Sequence, residues 1–452
     1  MIDTPLTRGD RRSDHLPSSK ASRPVAPTRQ LAGRRNSSGV VPTKAAEQQS
    51  SQPLIIAIGV LTMAYNGLLA ALLALGVPIN GSVPAVFEVL LLLTSAIICF
   101  KDGFSKSSIF PLALIYFVIM SAVVISINSD TIYLVAMRNF LIISVFTILG
   151  GQCNFKTLRN LFLCCSILAV LTLILEVGSL DSYVKVFEPA RYLSVTRGMA
   201  QSEYSGGLSA GTINYDGRFT LGLYSGPRTS SIFLEQVSIN CFAIVLALFL
   251  TVFWSNLKKS EIAIHTSAIF AILATNNARM ALILSIVYAI GYPLFSRLPK
   301  YTNVFVIPGI IAGLFTVFLF ITPVGGDDLV GRMATTYALL TSMNLGDLVL
   351  GNLSKTGRAL DSGYGFLIFS TSVFGLIVYW LYISFIIPQV DARSKRSAWG
   401  LGVYIGVWLL VGGTGTFSMK TAPLLWLVVG FVRRQSLGHQ EEAAAKARRR
   451  SL

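Results

Sequence analysis

Apolar residues fill twelve long runs of this chain, and short polar joints separate them. The runs cover 53–77, 82–100, 107–127, 131–150, 157–177, 231–254, 261–275, 279–296, 302–322, 364–388, 397–415 and 420–432. A stretch of about 20 apolar residues spans a bilayer as a helix. Lipid offers no partner for backbone N–H and C=O groups, so each run must be helical to cross it. The pattern predicts an all-α polytopic membrane protein with about 12 transmembrane helices. The transmembrane domain is expected over 53–432, and two joints within it, 178–230 and 323–363, are far longer than the rest.

Composition agrees: 53% of the 452 residues are hydrophobic, 13% are charged, and mean hydropathy is +0.64. The net charge of +16 could suggest nucleic acid, but its placement points elsewhere. Lys and Arg crowd residues 1–52 and 433–452 and recur in the joints at 101–106, 151–160, 255–260, 296–301 and 391–397, which together hold 26 of the 37. The joints at 78–81 and 128–130 hold none. By the positive-inside rule both termini are cytoplasmic and the two long joints are periplasmic loops. The excess charge then faces anionic lipid headgroups, and no nucleic-acid partner is expected. Residues 1–52 read as a disordered basic tail, rich in Ser, Pro, Arg and Gln. Residues 433–452 read as a second basic tail, a short surface helix. The outer loops contain no cysteine, so no disulfide framework is available there. Three scattered histidines, His15, His265 and His439, do not make a metal site.

The chemistry is sought in the outer layer. The first long loop interleaves Tyr183, Phe187, Tyr192, Tyr204, Tyr215, Phe219 and Tyr224 with Lys185, Arg191, Arg197, Arg218 and Arg228. Aromatic faces with guanidinium forks suit a sugar-and-phosphate ligand, and a plain, nearly charge-balanced loop is the alternative. Four charges in the outer third of the predicted spans stand out: Glu88, Arg138, Glu235 and Arg279. Such groups are costly in lipid and usually mark a functional path. Glu88 and Arg138 could instead neutralise each other between helices. From Gly226 the chain passes straight into the sixth span. Ser230 or Ser231 is expected to cap that helix, with Arg228 just before an anion-attracting N-terminus.

The run Arg228-Thr-Ser-Ser-Ile-Phe-Leu-Glu-Gln-Val-Ser238 resembles the loop-to-helix segment of Wzy-type polysaccharide polymerases, a superfamily that includes O-antigen ligases. Ala274-Thr-Asn-Asn-Ala-Arg-Met-Ala281 is similar to the polar break between two later helices. Asp361-Ser-Gly-Tyr364, with Val373-Phe-Gly-Leu-Ile377, resembles the entry to a late helix, and Gly331-Arg332 and Gly351-Asn352 fit the second loop. The likeness covers about residues 130–390. The spacing of an Arg, ten residues and a Gly found in some members is absent from the outer loops. Neither loop contains the His that the ligases use, which favours polymerase over ligase.

The resemblance implies polymerisation of undecaprenyl-diphosphate-linked oligosaccharide units on the periplasmic face of a bacterial inner membrane. Membrane lipids, a flippase and a chain-length regulator would be partners, and no cofactor is expected. The diphosphate leaving group must be held as charge develops on it, a task for Arg. Arg228 and Arg279 are the first candidates, with Arg138 or Arg191 assisting. The acceptor hydroxyl needs a carboxylate base. Glu235 is the first candidate and Asp361 the second; alternatively Glu235 orients Arg228. A ligase, a lipid-linked oligosaccharide flippase or a secondary transporter are the competing readings, although the long central cytoplasmic joint of major facilitators is missing. Topology is directly testable. A periplasm-dependent reporter fused after residue 205 or 345 should be active, and one at the C-terminus silent; activity confined to the cytoplasm at 345 contradicts the twelve-span arrangement.

Overall fold

A computed structural model describes residues 51–131, 133–199, 206–213, 219–326 and 328–451. The tail expected to be disordered, up to residue 50, lies outside the described residues, as do Tyr204, Tyr215 and Arg218 of the first long loop. Among the described residues the chain is helical and without strands. Each of the twelve apolar runs contains a helix. These are α1 (Gln52–Ala74), α2 (Ser82–Asp102), α3 (Ile109–Ser129), α4 (Leu134–Gln152), α5 (Phe155–Gly178), α8 (Gln236–Phe253), α9 (Lys259–Asn276), α10 (Arg279–Leu294), α11 (Val306–Phe320), α14 (Gly363–Phe385), α15 (Ala392–Val411) and α16 (Ala422–Ser451). The first long loop contributes α6 (Leu180–Phe187) and α7 (Pro189–Arg197), and the second contributes α12 (Leu329–Thr341) and α13 (Leu345–Leu350).

Among the described residues eight helices are long and apolar enough to cross a membrane, as a multi-pass membrane protein requires. The other four depart from the simple pattern for visible reasons. Helix α10 is short. Lys259, Glu261 and Asn276 dilute α9, Arg393, Lys395 and Arg396 open α15, and the charged tail dilutes α16. That tail is not a separate surface helix: α16 runs unbroken to Ser451, because Glu441-Glu-Ala-Ala-Ala-Lys446 consists of strong helix formers.

Burial sorts the helices. Helix α8 is the hub: every residue from Ser238 to Phe253 is buried, against α9, α10 and α15. Helices α2, α3 and α11 instead present Leu93, Ile97, Val123, Leu319 and Phe320 outward, as lipid-facing helices do. The closest backbone contact joins α4 and α16. A side chain on Gly150 would meet the Leu427 carbonyl, and one on Gly430 would meet that of Thr147. Small residues let helix backbones approach in this way.

The basic joints gather at one end of the bundle. Arg434 donates to the Gly151 carbonyl (2.9 Å), Arg396 to that of Tyr292 (2.8 Å) and Lys395 to that of Leu298 (2.9 Å). Arg393 bridges Asn256 and Gln435. Cations thus sit where helix C-termini leave carbonyls unpaired. Both long loops fold over the opposite end, as the residues they share there show below. The tight α4–α16 contact predicts that Gly430→Val destabilises the protein by about 1–3 kcal/mol through overpacking. A melting temperature in detergent equal to that of the wild type would show that the backbones can separate.

Candidate functional site

The site begins where α5 ends. Glu176 is buried, and its carboxylate accepts the backbone N–H of Ser230 (3.0 Å to each oxygen) and of Ser231 (2.7 Å), and the Ser230 hydroxyl (3.1 Å). The Tyr183 hydroxyl donates to the Ser231 carbonyl at 2.7 Å. These bonds hold a sharp turn in which Ser231 and Leu234 take left-handed backbone angles, φ +51° and +61°. Such conformations in non-glycine residues persist only where surrounding contacts over-determine them. Helix α8 therefore starts later than expected, at Gln236. Neither Ser230 nor Ser231 caps it: the Ser230 hydroxyl is engaged with Glu176 and the Ser231 hydroxyl with the Ala169 carbonyl. Glu235 occupies the N-cap position, and Arg228 lies eight residues before the helix.

Arg228 leans instead on the break between α9 and α10. Its Nε donates to the Asn276 carbonyl (2.7 Å) and an Nη to Asn276 Oδ1 (3.2 Å). The next residue, Asn277, has φ +54° and accepts the Leu221 N–H at 2.9 Å, so the same break anchors the first loop. Arg279 opens α10 with its guanidinium 5.7 Å from the Phe219 ring centre. Arg332, on α12, donates to the Val411 carbonyl at the end of α15 (3.2 Å).

Arg228, Arg279 and Arg332 line one cavity of about 120 Å³, together with residues of α8, α15 and both loops. One carboxylate, Asp328, also lines it; its Oδ1 accepts the Gly331 N–H (2.7 Å) and so caps α12. Three guanidinium groups from three separate segments can hold a polyanion by charge-assisted, bidentate bonds.

The other predicted residues lie elsewhere. Glu235 is not in the cavity wall, although it adjoins Gln236, which is. Its carboxylate accepts from Arg197, from Ser238 (3.0 Å) and from Lys420 (2.7 Å). Lys420, only 2% exposed, also reaches the Phe233 carbonyl at 3.3 Å. Arg138 pairs with Glu88 at 2.7 Å, and Tyr65 donates to the same carboxylate, so these two charges do neutralise each other between helices. Arg191 pairs with Glu188 on the surface of α7 (2.6 Å). Asp361 is exposed and precedes Ser362, whose hydroxyl accepts the Gly365 N–H and caps α14. Its backbone packs against Gly413, next to Gly412 of the cavity wall.

The structure thus brings Arg228 and Arg279 together and adds Arg332, which was legible only as part of a loop motif. Two more residues escaped the sequence reading. Glu176 is a carboxylate near the outer end of a span, so the rule that singled out Glu88 applies to it equally. Lys420 opens the last run. Among the described residues no cluster of three or more His, Cys, Asp or Glu could hold a metal. Comparison with known protein families, curated proteins and solved structures finds no match.

The turn at 230–234 depends on an acceptor that water cannot replace. Glu176→Leu strands at least two buried N–H groups, at about 1–3 kcal/mol each. It should lower stability by several kcal/mol, and Glu176→Gln, which retains one acceptor oxygen, by less. Thermal unfolding of the purified protein measures this; a Leu variant as stable as wild type would mean that the turn is held by other bonds.

Proposed function

We propose that this protein polymerises undecaprenyl-diphosphate-linked oligosaccharides at the periplasmic face of a bacterial inner membrane, as a Wzy-type glycosyltransferase. The convergence of Arg228, Arg279 and Arg332 on one cavity carries the reading. A lipid-linked donor leaves as a diphosphate, and negative charge grows on that group as the glycosidic bond breaks. Preorganised guanidinium groups in a site shielded from water stabilise such charge strongly. Arg228 is braced by Asn276 and Arg332 by the end of α15, so little reorganisation is needed when the ligand arrives. No nucleotide is required, because the lipid-linked donor is already activated.

The acceptor sugar hydroxyl must lose a proton. Glu235, held by two cations and a hydroxyl, is a weak base as it stands and is better suited to fixing the entry to α8. Asp361 is exposed and backs onto the cavity wall, which supports it as the base. A flippase and a chain-length regulator of the same pathway would be the functional partners.

A point charge cannot replace a bidentate fork. Arg228→Lys, Arg279→Lys and Arg332→Lys should each cut polymer production by about a hundredfold, the usual cost of losing one such donor. Asp361→Asn should abolish polymer while the protein still inserts. Single lipid-linked repeat units should accumulate on the outer side of the membrane. Polymer length on gels, with membrane protein quantified alongside, reads the result. Normal polymer from all four variants would refute the proposal, and repeat units trapped inside would indicate a flippase.

A further inference from the structure

The three arginines are only part of the cavity wall. The same wall contains Asn240 on α8, Asn277 at the α9–α10 break and Trp408 on α15. All three are almost completely buried, at 5%, 4% and 4% exposure. Asn240 Oδ1, Asn277 Nδ2 and Trp408 Nε1 have no hydrogen-bond partner among the described residues. A buried polar atom without a partner is costly and calls for a specific cause. Here one acceptor and two donors stand in one wall, beside a group of cations. Gly412, also in the wall, has no side chain to cover the indole.

An anion explains the arginines but not these atoms. Phosphate oxygens only accept, so they give nothing to Asn240 Oδ1. A sugar hydroxyl both donates and accepts, and the flat face of a sugar ring packs against an aromatic surface such as Phe219. Size narrows the choice. A cavity of about 120 Å³ has room for about four waters at roughly 30 Å³ each. It is well below the roughly 300–1,000 Å³ of pockets that enclose a whole ligand. The space suits the junction between a diphosphate and one sugar, with the rest of the chain outside.

We infer that Asn240, Asn277 and Trp408 form a subsite for the first sugar attached to the diphosphate, and that this sugar's hydroxyl pattern sets donor specificity. The inference rests on the proposed lipid-diphosphate chemistry. It adds that the cavity distinguishes a glycosylated donor from the spent prenyl diphosphate. The orphaned atoms have almost no accessible surface, so a small side-chain rotation towards the entering hydroxyls accompanies binding. Release of the product is then favoured once the sugar has moved to the acceptor, because only the arginine contacts remain.

The test is a pair of binding measurements on the full-length protein in detergent. One probe is a short prenyl diphosphate; the other is the same molecule with a single hexose. Wild type should bind the glycosylated probe about tenfold more tightly. Trp408→Phe keeps a ring and removes the N–H; Asn240→Leu keeps the shape and removes the acceptor. Each should bring the affinity ratio towards one, with thermal unfolding confirming that the variant is folded. Equal affinity of wild type for both probes overturns the sugar subsite and leaves the diphosphate reading standing. A ratio unchanged in both variants also overturns it, since the discrimination then lies elsewhere. If wild type binds neither probe, the diphosphate reading itself fails, and the subsite with it.

Discussion

Glu176 decides where the chemistry of the loop end stands. The chain at Ser230 and Ser231 only enters a single 3-10 turn, Ser231–Phe233, yet both residues are buried. Its N–H groups would be unpartnered without an internal acceptor. The carboxylate supplies one and holds the turn in a conformation that L-residues otherwise avoid. Everything on either side follows from that turn. Upstream, Arg228 is directed to the α9–α10 break, where Asn276 receives it. Downstream, Glu235 arrives at the start of α8, where Lys420 and Arg197 meet it. Ile232, between the two, is pressed against Gly67 of α1, where any larger residue would meet its backbone carbonyl. One short segment therefore connects the cavity, the ion-pair cluster and the helix bundle.

Two groups of cations result, and they differ in kind. Arg138, Arg197 and Lys420 each face a carboxylate at the junctions of α2, α4, α7, α8 and α16. Lys420 is buried, while Arg138 and Arg197 are part-exposed. A buried pair such as Lys420–Glu235 is a weak source of net stability but strongly resists the loss of one partner, so it fixes relative positions. Among the described residues the cavity lining contains three arginines and one aspartate. Arg228 and Arg332 there donate to carbonyls, which brace their guanidinium groups at the breaks. The first group suits structure and the second suits an incoming polyanion.

The division between legible and hidden features follows the range of the forces involved. The apolar helices were legible because the hydrophobic requirement acts on contiguous residues, although among the described residues eight, not twelve, are long and apolar enough to cross a membrane. The Glu88–Arg138 pair was legible as one of two alternatives, since opposite charges at equal depth must find each other or a ligand. Arg228 and Arg279 were legible because each stands at a break in the apolar pattern. Arg332 was not, because nothing local records that the second loop folds back over α15. The start of α8 was misjudged by several residues for the same reason. Ser230 and Ser231 have the local chemistry of helix caps, but a carboxylate 54 positions from Ser230 takes its hydroxyl, and the Ala169 carbonyl takes that of Ser231. Local capping preference lost to a buried tertiary bond.

Irregular backbone within a membrane protein is tolerated only where protein or a cavity covers it. The irregular pieces here are the turn at 230–234, the Asn276–Asn277 break and the Gly412–Gly415 stretch after α15. They meet around one hub, the loop-facing start of α8. Gln236, Val237 and Asn240 of that helix form part of the cavity, while the residues that follow are packed on every side. A fully buried helix thus presents its first turn to the cavity, and the broken ends of its neighbours supply the charged and polar groups. The arrangement solves two problems with one geometry. Broken helix ends need polar partners, and the diphosphate sugar proposed as substrate would need fixed donors; arginines and amides placed at those ends would meet both needs. That shared requirement is why the chemistry collects at the breaks rather than along the spans.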